Sequence, residues 1–246
     1  MRPTLVFLPG WGQSDHVWYK QKVYFPENWP VRYINLPGHG GTPNAPAKHW
    51  LNTLHDALPA DQTCILVAWS LGGILAMQLA RHSPERLAAI VLVSSTPCFR
   101  AKTDWPHGCS DSQFHAFKQT LENDSGKLLG QFFTLMLYGH TLPRSRFNAI
   151  AKLAVDRKHP PLPEALRAGL KLLDTLDLRA QLTDISIPSL VMHGVHDAII
   201  PVGAGQYLAD HIPGASLDIM QCGHAPHLTQ AKIFNEHLEQ WCLNIT

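Results

Sequence analysis

The sequence predicts an α/β fold: a doubly wound, mostly parallel sheet with a helical lid inserted between two of its strands. Three observations carry that expectation. Short runs are apolar throughout, amphipathic helical stretches separate them, and in one long interval, 98–186, the strands stop. A parallel strand is buried on both faces, so it reads as continuous apolar sequence instead of an alternation. Strand then helix, repeated, builds a doubly wound sheet.

The runs at 4–8, 31–35, 64–68, 87–93, 189–193 and 216–219 read as the strands. Residues 71–82 read as a helix because Leu71, Ile74, Leu75 and Leu79 recur at helical spacing. The same holds for 229–243, through Ile233, Phe234, Leu238 and Trp241. Inside the long interval, Phe114, Phe117 and Leu121 form one helical stripe. Leu166, Leu170 and Leu173 form another, after Pro160-Pro161-Leu162-Pro163. The core is therefore expected from 1–97 and 187–246, with 98–186 as a lid above the carboxyl ends of the strands, where such folds bind ligands.

Composition narrows the function. The 246 residues are 45% apolar and carry a formal charge of +1, which excludes a general nucleic-acid binder. The longest apolar run, 87–93, falls far short of the roughly 20 residues a membrane-spanning helix needs. The apolar run at 5–8 is too short for a secretory signal, and the five cysteines form no CxxC pair, so a cytoplasmic setting with reduced thiols is expected. Charge is uneven, however. Between Gly126 and Lys158, Lys127, Arg144, Arg146, Lys152, Arg157 and Lys158 face a single acid, Asp156. Such a run is either a solvated helical face or a docking surface for an acidic partner.

Chemistry concentrates at three places. Ala68-Trp69-Ser70-Leu71-Gly72-Gly73 follows a strand and opens a helix, the context of a nucleophilic serine on a tight turn flanked by small residues. Its rival reading is a serine that caps the helix. Leu8-Pro9-Gly10-Trp11-Gly12 follows the first strand. That loop is either a tight turn or the source of an oxyanion-binding N–H at Trp11, with the Leu71 N–H as the second donor. Asp197 lies on the loop after the fifth strand, and His224 follows the last. The chain order Ser70, Asp197, His224 suits nucleophilic catalysis, because a serine stays weakly reactive until an imidazole takes its proton and a carboxylate holds that imidazole in the right tautomer. Asp104, Asp174, Asp177 and Asp184 compete for the carboxylate role. The pairs His193/His196 and His224/His227 lack the helix and acid of a zinc-protease motif, so no metal and no cofactor is expected. A serine nucleophile also disfavours the aspartyl-ester chemistry of dehalogenases and epoxide hydrolases. Phe132-Phe133-Thr134-Leu135-Met136 either lines an apolar pocket over Ser70 or packs a helix core.

With these motifs the chain resembles the α/β-hydrolases. More closely, it is similar to the carboxylesterases of biotin synthesis that cleave the methyl ester of pimeloyl-acyl-carrier protein. The matching segments are Gly10-Trp11-Gly12, Trp69-Ser70-Leu71-Gly72-Gly73, Ser94-Ser95-Thr96-Pro97-Cys98-Phe99, Asp104-Trp105-Pro106, the run from Gly169 to Arg179, and His224-Ala225-Pro226. The resemblance implies Ser70 as nucleophile, His224 as general base and acid, and Asp197 as orienting carboxylate. It implies Trp11 and Leu71 as ester-binding donors and Phe132 to Met136 as the channel lining, with Phe117 nearby. It further implies a monomer whose partner is an acyl-carrier protein, held by basic lid residues. Lys127 and Arg144 stand at two such positions; Gln131 and Asn148 depart from the pattern, with Arg146 and Lys152 close by. The alternatives are a broad short-chain carboxylesterase, a carbon–carbon bond hydrolase of the same fold, and a non-catalytic ligand receptor.

Overall fold

The computed structural model describes residues 2–139 and 142–245. Among them is a six-stranded sheet of β1 (Thr4–Leu8), β2 (Val31–Tyr33), β3 (Cys64–Trp69), β4 (Leu87–Val93), β5 (Ser189–Gly194) and β6 (Ser216–Met220). The order is β2-β1-β3-β4-β5-β6, and every pair is parallel. β3, an unbroken apolar run, is buried at every residue, as is β1, whose only polar residue is Thr4; β4, apolar throughout, is buried at all but Ala88. β6 forms an edge, and its alternating Ser216-Leu217-Asp218 start is accordingly open to solvent. β2 stops two residues earlier than the sequence suggests. Asn35 leaves the ladder to accept from the Asp15 N–H through Oδ1 at 2.7 Å.

The helices are α1 (Tyr19–Tyr24), α2 (Trp50–Ala57), α3 (Leu71–His82), α4 (Asp111–Asn123), α5 (Ser125–Met136), α6 (Arg144–Ala154), α7 (Pro163–Thr175), α8 (Val202–His211), α9 (Pro226–Thr229) and α10 (Ala231–Leu243). The expected helix 229–243 is two helices, broken at Gln230 (φ −124°, ψ 40°). Its buried stripe is Phe234, Leu238 and Cys242, spaced at i, i+4, i+8, while Ile233 is 44% exposed.

The interval between β4 and β5 holds α4 to α7 and, among the described residues, three isolated bridges in place of strands. Ion pairs secure its two ends to each other. Arg179 reaches Asp177 at 2.8 Å and Asp104 at 2.9 Å, Lys102 reaches Asp177 at 2.6 Å, and Arg100 holds both Asp111 and Asp174. Trp105, under the Arg179 guanidinium, donates from Nε1 to Cys98 O at 2.9 Å.

The strand order reverses between β1 and β3, and crevices at such switch points are where open α/β sheets bind ligands. Leu8 and Ala68 are register partners there, so the two following turns run side by side. They come so close that a Cβ on Gly10 would stand 2.9 Å from Ser70 Cβ.

Candidate active site

Ser70 sits between the end of β3 and the start of α3 with φ 55° and ψ −118°, a region that costs a non-glycine residue about 1–3 kcal/mol. Hydrogen bonds from both sides hold it there. Its N–H donates to Val93 O at 2.9 Å, and the Ser95 hydroxyl donates to its carbonyl at 2.9 Å. A Cβ on Gly73 would lie 2.4 Å from Ser95 Oγ, which explains a glycine at that position. The Ser70 side chain makes no capping hydrogen bond, so the helix-cap reading does not hold.

The loop after β1 is pinned at both sides of Trp11. The Trp11 indole donates to Leu166 O in α7 at 2.9 Å, and the ring packs on Phe117 and Phe132. The next N–H, that of Gly12, donates to Nε2 of the buried His39 at 3.3 Å, and His39 Nδ1–H donates to Pro37 O at 3.0 Å. Among the described residues neither the Trp11 nor the Leu71 backbone N–H has an acceptor. Both donors are thus free for a ligand oxygen.

β5 and β6 bring the other two residues together. Gly194 lies so close to the His224 loop that a Cβ there would be 2.1 Å from Gly223 O. His224 Nδ1–H donates to Asp197 Oδ2 at 2.7 Å, and both side chains are fully buried. Asp197 Oδ1 accepts from the N–H groups of Ile199 and Ile200, at 2.8 and 2.9 Å. Burial alone would raise the Asp197 carboxyl. The His224 and His193 imidazoles outweigh it and hold the group well below the usual carboxylate range. With Nδ1 protonated toward Asp197, Nε2 of His224 is left with its lone pair bare. That atom is buried and has no hydrogen-bond partner, so Ser70 and His224 are not in hydrogen-bond geometry here. Their neighbours do meet. Trp69 donates from Nε1 to His224 O at 2.8 Å, and Phe132 touches both Trp11 and the His224 ring. In ligand-free enzymes, catalytic hydrogen bonds are often long and tighten only with substrate bound. The four competing acids are committed elsewhere: Asp104 and Asp177 to Arg179, Asp174 to Arg100, and Asp184 to Arg81 at 3.1 Å.

A cavity of about 430 Å³ opens over Ser70, walled by Trp11, Phe114, Phe117, Phe132 and Ile199. Only part of the expected lining is there. Phe132 and Leu135 face this cavity, whereas Phe133 and Thr134 face a separate one of about 500 Å³ on the other side of α5. Met136 lines neither and is wholly buried. The cause is helical rotation of about 100° per residue, which cannot aim five consecutive side chains one way. Lys127, Arg144 and Lys152 are exposed and, among the described residues, in no ion pair. Arg146 differs: its guanidinium donates to Thr229 O at 2.8 Å.

Residues 3–231 match the family model described as the alpha/beta hydrolase fold. The chain belongs to the α/β-hydrolase family. Proteins named pimeloyl-[acyl-carrier protein] methyl ester esterase are among its relatives. That of Nitrosomonas europaea is 38% identical over 92% of this chain and 90% of its own. That of Aromatoleum aromaticum is 38% identical over 93% of each chain, and that of Aeromonas hydrophila 33% identical over 97% and 95%. Among solved structures, an esterase from Exiguobacterium antarcticum aligns with a TM-score of 0.86 over 98% of this chain and 91% of that one, at 22% identity. A hydrolase from Oleispira antarctica aligns at 0.87 over 99% and 92%, at 18% identity.

Two buried histidines of this α/β-hydrolase make contacts that the motifs do not disclose. His39 holds the Gly12 N–H and His193 lies 3.3 Å from Asp197 Oδ2. A signal for His39 exists in Pro37-Gly38-His39-Gly40-Gly41, a second glycine-rich turn after a strand, although it does not say which loop the ring meets. Burial pushes His39 down to about 4 despite its bond to Pro37 O. Folded His39 is therefore neutral while the unfolded side chain binds a proton below 6.5, so stability is lost as pH falls from 6.5 toward 4. The loss from this group is about 3 kcal/mol. Urea unfolding across that range should show the decline, and His39→Gln should flatten it. A slope unchanged in the variant would assign the acid sensitivity to other groups.

Proposed function

We propose that this α/β-hydrolase cleaves the methyl ester of a pimeloyl group carried on acyl-carrier protein, with Ser70, His224 and Asp197 as the catalytic residues. The observation that carries ester hydrolysis is the buried Asp197–His224 pair, which leaves a bare Nε2 on a ring packed against Phe132, a wall of the cavity that holds Ser70. The substrate follows from the esterases to which the chain is similar over almost its full length.

In this mechanism substrate brings Ser70 Oγ and Nε2 into contact. Oγ attacks the ester carbonyl, Nε2 takes its proton, and the Trp11 and Leu71 N–H groups receive the oxyanion. Collapse of the intermediate expels methanol, protonated by His224, and leaves the acyl group on Ser70. Water, deprotonated by the same nitrogen, releases the acid. The apolar walls of Phe117, Phe132 and Leu135 accommodate the methylene chain. Residues 98–186 serve as the lid, and Lys127, Arg144 and Lys152 on it attract the acidic carrier, with Arg146 in a supporting place at Thr229. Five free thiols, four of them buried, fit work in the reducing cytoplasm, where the enzyme acts as a monomer in this reading.

Turnover of methyl-pimeloyl-carrier protein beside free methyl esters tests the reading. Lys127→Glu with Arg144→Glu should lower kcat/KM on the carrier-bound ester by about tenfold or more at low salt, leaving free esters unaffected. Equal loss on both would remove the docking role. Wild-type turnover confined to free esters would favour a broad short-chain esterase.

A further inference from the structure

His193 is the penultimate residue of β5, fully buried, and has no part in the mechanism above. Its Nε2 lies 2.9 Å from Ile200 O, and a carbonyl only accepts, so Nε2 carries the proton. The Ile200 N–H in turn donates to Asp197 Oδ1, so one peptide unit links the His193 ring to the carboxylate. The same Nε2 stands 3.3 Å from Asp197 Oδ2, the oxygen that receives His224. The other ring nitrogen, Nδ1, is buried with no partner. A proton on Nδ1 would find no acceptor, so the hydrogen bond the ring makes runs through Nε2. Space for the ring comes from α8, where a Cβ on Gly205 would lie 2.6 Å from His193 Nδ1.

We propose that His193 is a positioning residue for Asp197: an N–H donor that fixes the 197–200 loop and, with it, the carboxylate that receives His224. The inference rests on the esterase reading and deepens it. Two imidazoles converge on one carboxylate oxygen, His224 at 2.7 Å and His193 at 3.3 Å. Other titratable groups nearby are Cys222, close enough to feel Asp197, and His227 beyond His224, whose burial holds it well below its ordinary value. Neither occupies the His193 position against Asp197.

The test compares His193→Leu, His193→Gln and Gly205→Ala on a small ester, with a fluorophosphonate probe reading Ser70 reactivity. His193→Leu should lower kcat about tenfold, equivalent to about 1.4 kcal/mol, at an unchanged KM. Loss of the donor leaves more negative charge facing His224, so the acid limb of the kcat/KM profile should move to higher pH. His193→Gln, whose amide N–H reaches the same place, should restore most of the rate and return the limb. Gly205→Ala removes nothing from Asp197 yet displaces the ring, so it should resemble His193→Leu. A role limited to filling space predicts equal loss in the Leu and Gln variants with the limb unmoved, and that result would overturn the inference. A wild-type protein that the probe fails to label defeats the esterase reading itself, and this inference with it. A labelled wild type with a fully active His193→Leu defeats the inference alone.

Discussion

Replacing Ser70 with alanine is expected to lower kcat for ester hydrolysis by a factor on the order of 10⁵–10⁶ while leaving the protein folded. In the proposed mechanism the whole reaction passes through Oγ, and the other hydroxyl on the cavity wall, that of Thr120, is committed to Ala116 O at 2.9 Å. Phe114, Phe117, Phe132 and Leu135 offer no nucleophile, and the Cys109 thiol is pushed up by burial, away from the reactive thiolate. Stability should move differently from activity. Ser70 holds φ 55° in an unfavourable region, so Ser70→Gly removes the strain and should raise stability by about 1 kcal/mol while also abolishing turnover. The check is a pair of measurements, single-turnover hydrolysis and thermal unfolding, on wild type, Ser70→Ala and Ser70→Gly. Retained activity in the alanine variant would mean that another nucleophile does the chemistry. A glycine variant less stable than wild type would mean that the turn is not strained.

The strain also explains why this part of the molecule was legible from sequence. A serine between a wholly apolar strand and a helix, with Gly72 and Gly73 behind it, has few other placements, and α3 spans the residues its periodicity indicates. Local patterns of this kind are fixed by neighbours along the chain. What the sequence left open depends on neighbours far from it. The strand 31–35 ends early because Asn35 finds Asp15, twenty residues away. Arg146 reads as one more surface cation until Thr229, eighty-three residues on, supplies a carbonyl. The run Phe132 to Met136 reads as one lining, and helical geometry divides it between two cavities and the core. The rival acids illustrate the same limit. Asp104, Asp174, Asp177 and Asp184 are separated from Asp197 not by sequence context but by the arginines and lysine that the fold delivers to them. The places of His39 and His193 are open for a further reason: a buried histidine acts through the particular atoms its ring nitrogens reach, and composition says nothing about which atoms those are.

Asp197→Asn should cost about 10⁴ in kcat, and the reason is the direction of one hydrogen bond. In the native site Oδ1 is saturated by the Ile199 and Ile200 N–H groups, which fixes Oδ2 toward His224. Asparagine would keep its carbonyl on those two donors and so present its NH₂ to His224 Nδ1. A donor there requires Nδ1 to accept, which moves the imidazole proton to Nε2, the nitrogen that must be bare to receive the proton of Ser70. The geometry stays and the tautomer is wrong. Activity should recover partly at high pH, where hydroxide can replace the lost base, and Ser70 labelling should slow in parallel. Stability carries a second signature. The native carboxylate is held below its ordinary value, so its contribution is complete above about pH 4 and is lost as pH falls through the lowered folded value. The asparagine variant should lack that acid-linked loss. An asparagine variant with wild-type turnover would show that the carboxylate does not set the His224 tautomer, and the division of labour among the three side chains would have to be redrawn.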